Sequence, residues 1–129
     1  MLAPGLADFE VMARDAFASL PEGVRALCGE IEIRVADFGD DDVLDSLGIE
    51  DPFDLMGLFE GVGLAQGGGA SWSGRMSNRV WLYRRAILDY WTAYEEPLGD
   101  IVAHVLVHEI GHHFGLSDED MEEIEAAAE

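Results

Sequence analysis

The sequence predicts a single α+β domain in which a small sheet packs against one long helix. Three observations lead there. Apolar residues recur at helical spacing over residues 8–20 and again over 97–114, a strict two-residue alternation runs through 31–36, and the 129 residues show no linker or composition break that would divide them. An apolar fraction of 49%, with six Phe, three Trp and three Tyr, is enough to build a real core, so stability need not depend on a bound ion.

Each element follows from its local pattern. Phe9, Met12, Ala13, Ala16, Phe17 and Leu20 form one apolar helix face, with Asp8 as a starting cap and Pro21 as a stop. "PEGVRALCG" adds a short second helix. "EIEIRVADF" sets Ile31, Ile33 and Val35 against Glu32, Arg34 and Ala36, as a half-buried strand does. The segment "GDDDVLDSLGIEDPFDLMG" reads as a helix of one or two turns between loops. Its Asp40, Asp41 and Asp42 lack the spaced ligand order of a calcium loop and suit a solvated helix N-terminus.

"LFEGVGL" is expected to be a short strand and "NRVWLYRRAIL" a longer one, joined by the glycine-rich "AQGGGASWSGRMS". No Gly-Lys-Ser/Thr follows the glycines, so the connection is not a phosphate cradle. Arg75, Arg79, Arg84 and Arg85 cluster around it; they can hold a substrate carboxylate or pair with the chain's own acids, and the excess of acids favours pairing. From Pro97 to Phe114 the chain reads as a helix with Ile101, Val102, Val105, Leu106 and Ile110 as its buried stripe and Gly115 as its stop. Ser117 and Asp120 resemble a capping box for a last acidic helix near 118–128.

The charge excludes several roles. Against 27 Asp and Glu stand seven basic residues, all arginine, for a net charge of -20. Such a field repels phosphate backbones and anionic lipid, so neither nucleic acid nor a membrane is an expected partner; a basic protein is compatible with it. The one cysteine, Cys28, cannot form an internal disulfide and lies in an apolar segment, where a buried thiol is expected. "MLAPGLADFE" has no basic leader region, and no apolar run reaches the ~20 residues of a membrane span, so the expected location is the cytoplasm.

The chemistry concentrates in "VHEIGHHFGLSDED", residues 107–120. At about 100° per helical residue, His108 and His112 project within about 40° of each other, one turn apart, and can reach a single ion. In H-E-x-x-H the glutamate, here Glu109, does not bind the metal but accepts a proton from water that the ion has made acidic. Shuffled chains of this composition would contain the motif about once in a hundred. Its position inside a strong helical pattern, with Gly115 placed to turn the chain back, sets it apart from two core histidines. His104, one turn earlier on nearly the same face, is expected to pack or face solvent, with an extra metal ligand or a partner supporting a ligand as the alternatives. His113, rotated about 100° from His112, falls off the metal face.

"HEIGHHFGLSD" is similar to the H-E-x-x-H-x-x-G-x-x-H signature of metzincin peptidases, with His108, Glu109, His112 and Gly115 in register and Asp118 in the place of the third histidine. Together with "LMGLFEGV", "RVWLYRRAIL" and "VLVHEIGHHFGLSDE", it makes the chain resemble the minimal zincin-like metallopeptidases, small acidic bacterial proteins, over roughly residues 8–125. The resemblance implies a minimal zincin-like fold, a small mixed sheet packed against the metal helix, with one Zn2+ held by His108, His112 and Asp118. Glu119, Glu122 and Glu123 are the alternatives to Asp118. It also implies a peptidase acting on a peptide or protein, aligned along an edge strand for which "NRVWLYRRAIL" is the candidate, with selectivity from residues 65–78. Tyr83, Tyr90 and Tyr94 are each eligible to donate to a developing oxyanion. Met121 does not match a metzincin methionine turn, since it lies in an expected helix. A hydrolase of a non-peptide substrate, or a metal-stabilised acidic interaction module without catalysis, are the alternatives; three protein ligands suit catalysis and four suit structure.

Overall fold

The computed structural model describes residues 4–60 and 78–127. In chain order the elements are α1 (Leu6–Ala18), α2 (Glu22–Cys28), β1 (Ile31–Ala36), α3 (Asp41–Leu47), a 3-10 turn at Pro52–Asp54, β2 (Gly57–Glu60), β3 (Asn78–Tyr83), α4 (Arg84–Ala93), α5 (Leu98–Phe114) and α6 (Asp118–Ala127). This is the expected α+β fold, a three-stranded mixed sheet with helices packed on it. The glycine-rich connection, Arg75 and most of the expected selectivity segment lie outside the described residues. Among the described residues no helix is long and apolar enough to cross a membrane.

The sheet has the order β1-β3-β2, with β1 parallel and β2 antiparallel to β3. The strand expected at the edge is therefore the central one. Its residues explain why: Val80 and Leu82 are completely buried and face the helices. Arg79, on the opposite face, bonds Glu32 of β1 at 2.7 Å and lies 3.6 Å from Glu60 of β2. A cation with acids on both sides fits between two strands better than at a rim. Trp81 Nε1 donates to the same Glu60 at 2.9 Å, and Arg34 closes the ladder on Glu32. These exposed pairs add little stability each, but they make the outer face polar, as an antiparallel or mixed sheet with one covered face requires.

"NRVWLYRRAIL" is also not one strand. Continued alternation after Val80 and Leu82 would send Arg84 into the core. Instead the strand stops at Tyr83, and Arg84 Nε donates to the Pro4 carbonyl while its Nη1 reaches Asp37 at 2.9 Å. Changing to helical period buries Ala86 and Ile87. Arg85 lies over the Phe38 ring at 5.5 Å. Arg79 and Arg84 are thus paired with the chain's own acids, as their excess suggested, while Arg85 lies over an aromatic ring.

Helix α5 is the centre of the molecule, touching α1, α4, α6, β2 and β3. Every residue of its expected stripe is buried, and so is Val107. Apolar contact on several sides is what a central helix needs. Phe9 and Ala13 of α1 complete the core beside it. The helix begins one residue later than expected because Pro97, with ψ 138°, is its cap. Asp8 likewise sits inside α1, where its carboxylate accepts the Gly5 N–H at 2.8 Å.

Candidate metal centre

Local chemistry fixes how α5 ends. Gly115 adopts φ +73°, its N–H donates to the His112 carbonyl at 3.3 Å, and Leu116 N–H donates to the Gly111 carbonyl at 2.8 Å. That paired arrangement is a Schellman turn, and a positive φ favours glycine there. The reversal sends α6 back along α5, so that Met121 packs on Gly111 and Glu125 reaches His104. At the start of α6, Asp120 N–H donates to Ser117 Oγ at 3.1 Å and Ser117 N–H to the Asp120 carboxylate at 3.3 Å. The expected capping box is present. It occupies Asp120 and leaves Asp118, the first residue of α6, to other partners.

His108 and His112 stand one turn apart, their rings edge to face with centroids 5.7 Å apart. Burial lowers the pKa of His108, and the neighbouring His104 lowers it further; Glu125 and Asp118 act in the opposite direction. A neutral imidazole is the form that binds a metal. Among the described residues, the side chains of His112 and Asp118 make no hydrogen bond to another residue. This donor set, two imidazoles and a carboxylate, suits zinc.

Glu109 projects from the same turn toward the sheet, where its Cγ lies against Gly57 of β2. It is mostly buried, and desolvation raises its pKa while His112 pulls it back. A carboxylate whose charge is poorly solvated binds a proton more readily, which is what a general base near neutral pH requires.

His113 lies one turn after Glu109, on the side of α5 toward β2. It stacks on Phe59 of β2 with centroids 4.1 Å apart and meets Phe114 edge to face. Burial lowers its pKa, and its Nε2 is buried without a partner among the described residues. Tyr83 is buried, and its phenol is pushed up to about 12, first by burial and then by the charges of Glu60, Asp40 and Glu109. Tyr90 and Tyr94 stack on one another at 4.3 Å. The charge of Glu109 is thus felt at the Tyr83 phenol. Met121 is buried in the first turn of α6, where it fills the space left by Gly111, a packing role between the two helices.

One association was not anticipated. His104 is half exposed, as expected, yet its Nδ1 lies 2.8 Å from Glu125 Oε1, and its ring lies over that of His108 with centroids 4.0 Å apart and a tilt of 35°. Among the described residues, the group of three metal-ligating atoms that closes within 4.8 Å is His104, His108 and Glu125; His112 and Asp118 stand outside it. Glu125 was absent from the sequence-based candidates. Its spacing of seven residues from Asp118, two helical turns on, is the signal that could have found it.

A profile of the zincin-like metallopeptidase family matches residues 28–128, from the end of α2 through α6. A search of curated proteins finds no match. The profile spans well over half of the chain and includes the whole sheet and both helices around His108, so the chain belongs to the zincin-like metallopeptidase family.

Proposed function

We propose that the chain is a zinc-dependent peptidase, one domain acting in the cytoplasm on a peptide or protein substrate. His108, His112 and Asp118 would hold one Zn2+, and Glu109 would be the general base. The observation that carries this reading is the environment of Glu109: it directly follows His108, lies against the sheet, and desolvation there raises its pKa.

Zinc, when bound, supplies Lewis acidity, polarising a carbonyl and lowering the pKa of water toward 7. The chain's own residues do the rest. Glu109 accepts the proton of the attacking water, and the protonated carboxyl then delivers it to the departing amine. Its raised proton affinity helps both transfers. Gly57 lets β2 approach α5 closely, so β2 is the edge strand nearest Glu109. A substrate backbone paired along β2 would run beside the base, with Phe59 and His113 as an aromatic wall at one end. The net charge of -20 favours cationic substrates through long-range attraction.

The test is Glu109→Gln. It should retain one zinc per chain and lose peptide hydrolysis by about a hundred- to ten-thousand-fold in a peptide-library screen with a chelator control. Cleavage at the parent rate would remove Glu109 as base. An absence of zinc after zinc-supplemented expression would count against the reading as a whole.

A further inference from the structure

We propose that His104, His108 and Glu125 form a second position for a divalent cation, which competes with His108, His112 and Asp118 for the His108 imidazole. The competition rests on the proposed role of His108; the second position itself rests on geometry. Ligand atoms about 2.0–2.1 Å from a tetrahedral zinc are about 3.3 Å apart. The observed separations lie on either side of that value: 2.8 Å from His104 Nδ1 to Glu125 Oε1, and 3.8 Å from His108 Nε2 to Glu125 Oε2. All three donors lie within 4.8 Å of one another. A hydrogen bond to His104 alone would occupy one Glu125 oxygen, whereas here the second oxygen is turned toward His108. The two imidazoles, tilted by 35° with centroids 4.0 Å apart, each bring one nitrogen to within 4 Å of the same carboxylate.

The surroundings give an ion a route to this position. His104 and Glu125 line a cavity of about 590 Å³ between α1, α5 and α6, whose wall also carries Asp15, Glu96 and Asp100. Carboxylates around an open cavity concentrate cations from solution. An ion arriving there meets the His104 imidazole and the Glu125 carboxylate at the cavity wall, with the His108 donor within 4.8 Å of both. Because His108 serves both sets, an ion in the second position takes a ligand from the first. The cluster would thus divide a single zinc between a holding position at the cavity and the position beside Glu109.

Zinc uptake decides the matter without any assay of hydrolysis. Binding of Zn2+ is measured by competition with a chromophoric chelator, and Co2+ absorption reports the coordination. His112→Ala should still take up one Zn2+ per chain, and adding Glu125→Gln should weaken that uptake by about 100-fold. His104→Ala in the same background provides a second variant at an exposed site, and circular dichroism checks that α6 remains folded. Uptake in His112→Ala that is equal with Glu125 intact or replaced would overturn the proposal, as would the loss of all uptake in His112→Ala alone. Uptake by the parent that ignores His112→Ala but falls with Glu125→Gln would support the second position and remove the proposed catalytic set. Uptake abolished by His112→Ala and untouched by Glu125→Gln would do the reverse.

Discussion

Gly57 on β2 and Glu109 on α5 meet so closely that a Cβ on residue 57 would lie 3.0 Å from Glu109 Cγ and 2.9 Å from Val105 Cγ1. A bare backbone on the strand is what lets the helix bring its glutamate against the sheet, and burial there raises the proton affinity of that glutamate.

Gly57→Ala should therefore push β2 away from α5. The expected cost is about 1–3 kcal/mol of stability, as for other overpacked cores. Zinc content should be retained while turnover falls, because the atoms nearest a side chain at residue 57 belong to Val105, Glu109 and Trp81 and not to His108 or His112. Thermal unfolding and metal analysis on one preparation check both parts.

Gly111 and Met121 form the matching contact on the other side of α5. A Cβ on residue 111 would come within 2.7 Å of Met121 Cγ and closer still to its sulfur. Gly111→Ala should destabilise the protein and displace α6, weakening zinc uptake through Asp118. Met121→Ala alone removes a buried side chain at about 2–5 kcal/mol. In the double variant the small side chain makes room for the new methyl, so the losses should sum to less than the two single effects.

Glu109 should impose a pH-dependent penalty on the metal-free protein. Its folded pKa is raised, so between the unfolded and folded values the native state holds more protons than the unfolded one, and stability falls as pH rises through that window. Metal-free Glu109→Gln should accordingly melt higher than the parent at pH 7, and the advantage should vanish below the ordinary carboxylate range. A parent and variant with equal melting temperatures at pH 7 would refute the desolvation argument.

Asp118 and Asp120 stand two residues apart and should respond differently to the same change. Asp118→Asn is expected to weaken zinc binding by more than tenfold with little effect on the metal-free fold. Asp120→Asn disturbs the capping box and should cost about 1 kcal/mol of stability, leaving uptake nearly intact. Equal effects on uptake would argue against Asp118 as a ligand.

Cys28 offers a probe of the core. It is almost fully buried, and burial pushes its thiol up to about 11. Thiol reagents at pH 8 should label it only as the protein unfolds, since both access and thiolate are lacking. Prompt stoichiometric labelling of the native protein would contradict the packing of α2.

Much of the candidate site was legible in the sequence because its parts are local. The spacing of His108 and His112 is set by helical geometry, Gly115 by the need for a positive φ, and the Ser117–Asp120 box by hydrogen bonds across three residues. The failures came where a pattern changed period or depended on distant partners. "NRVWLYRRAIL" is apolar and β-branched enough to pass for one strand, and only the inward phase of Arg84 marks the break.

The sequence by itself determined helix α5, its stop at Gly115 and the placement of His108, Glu109 and His112 within it, for these follow from interactions within one or two turns. Only the tertiary structure decided that β3 lies between β1 and β2, that Gly57 presses on Glu109, and that Glu125 meets His104 and His108. Each of those is a contact between residues far apart in the chain. A glutamate among fourteen, or a glycine among fifteen, carries no local mark of the neighbour that packing will give it.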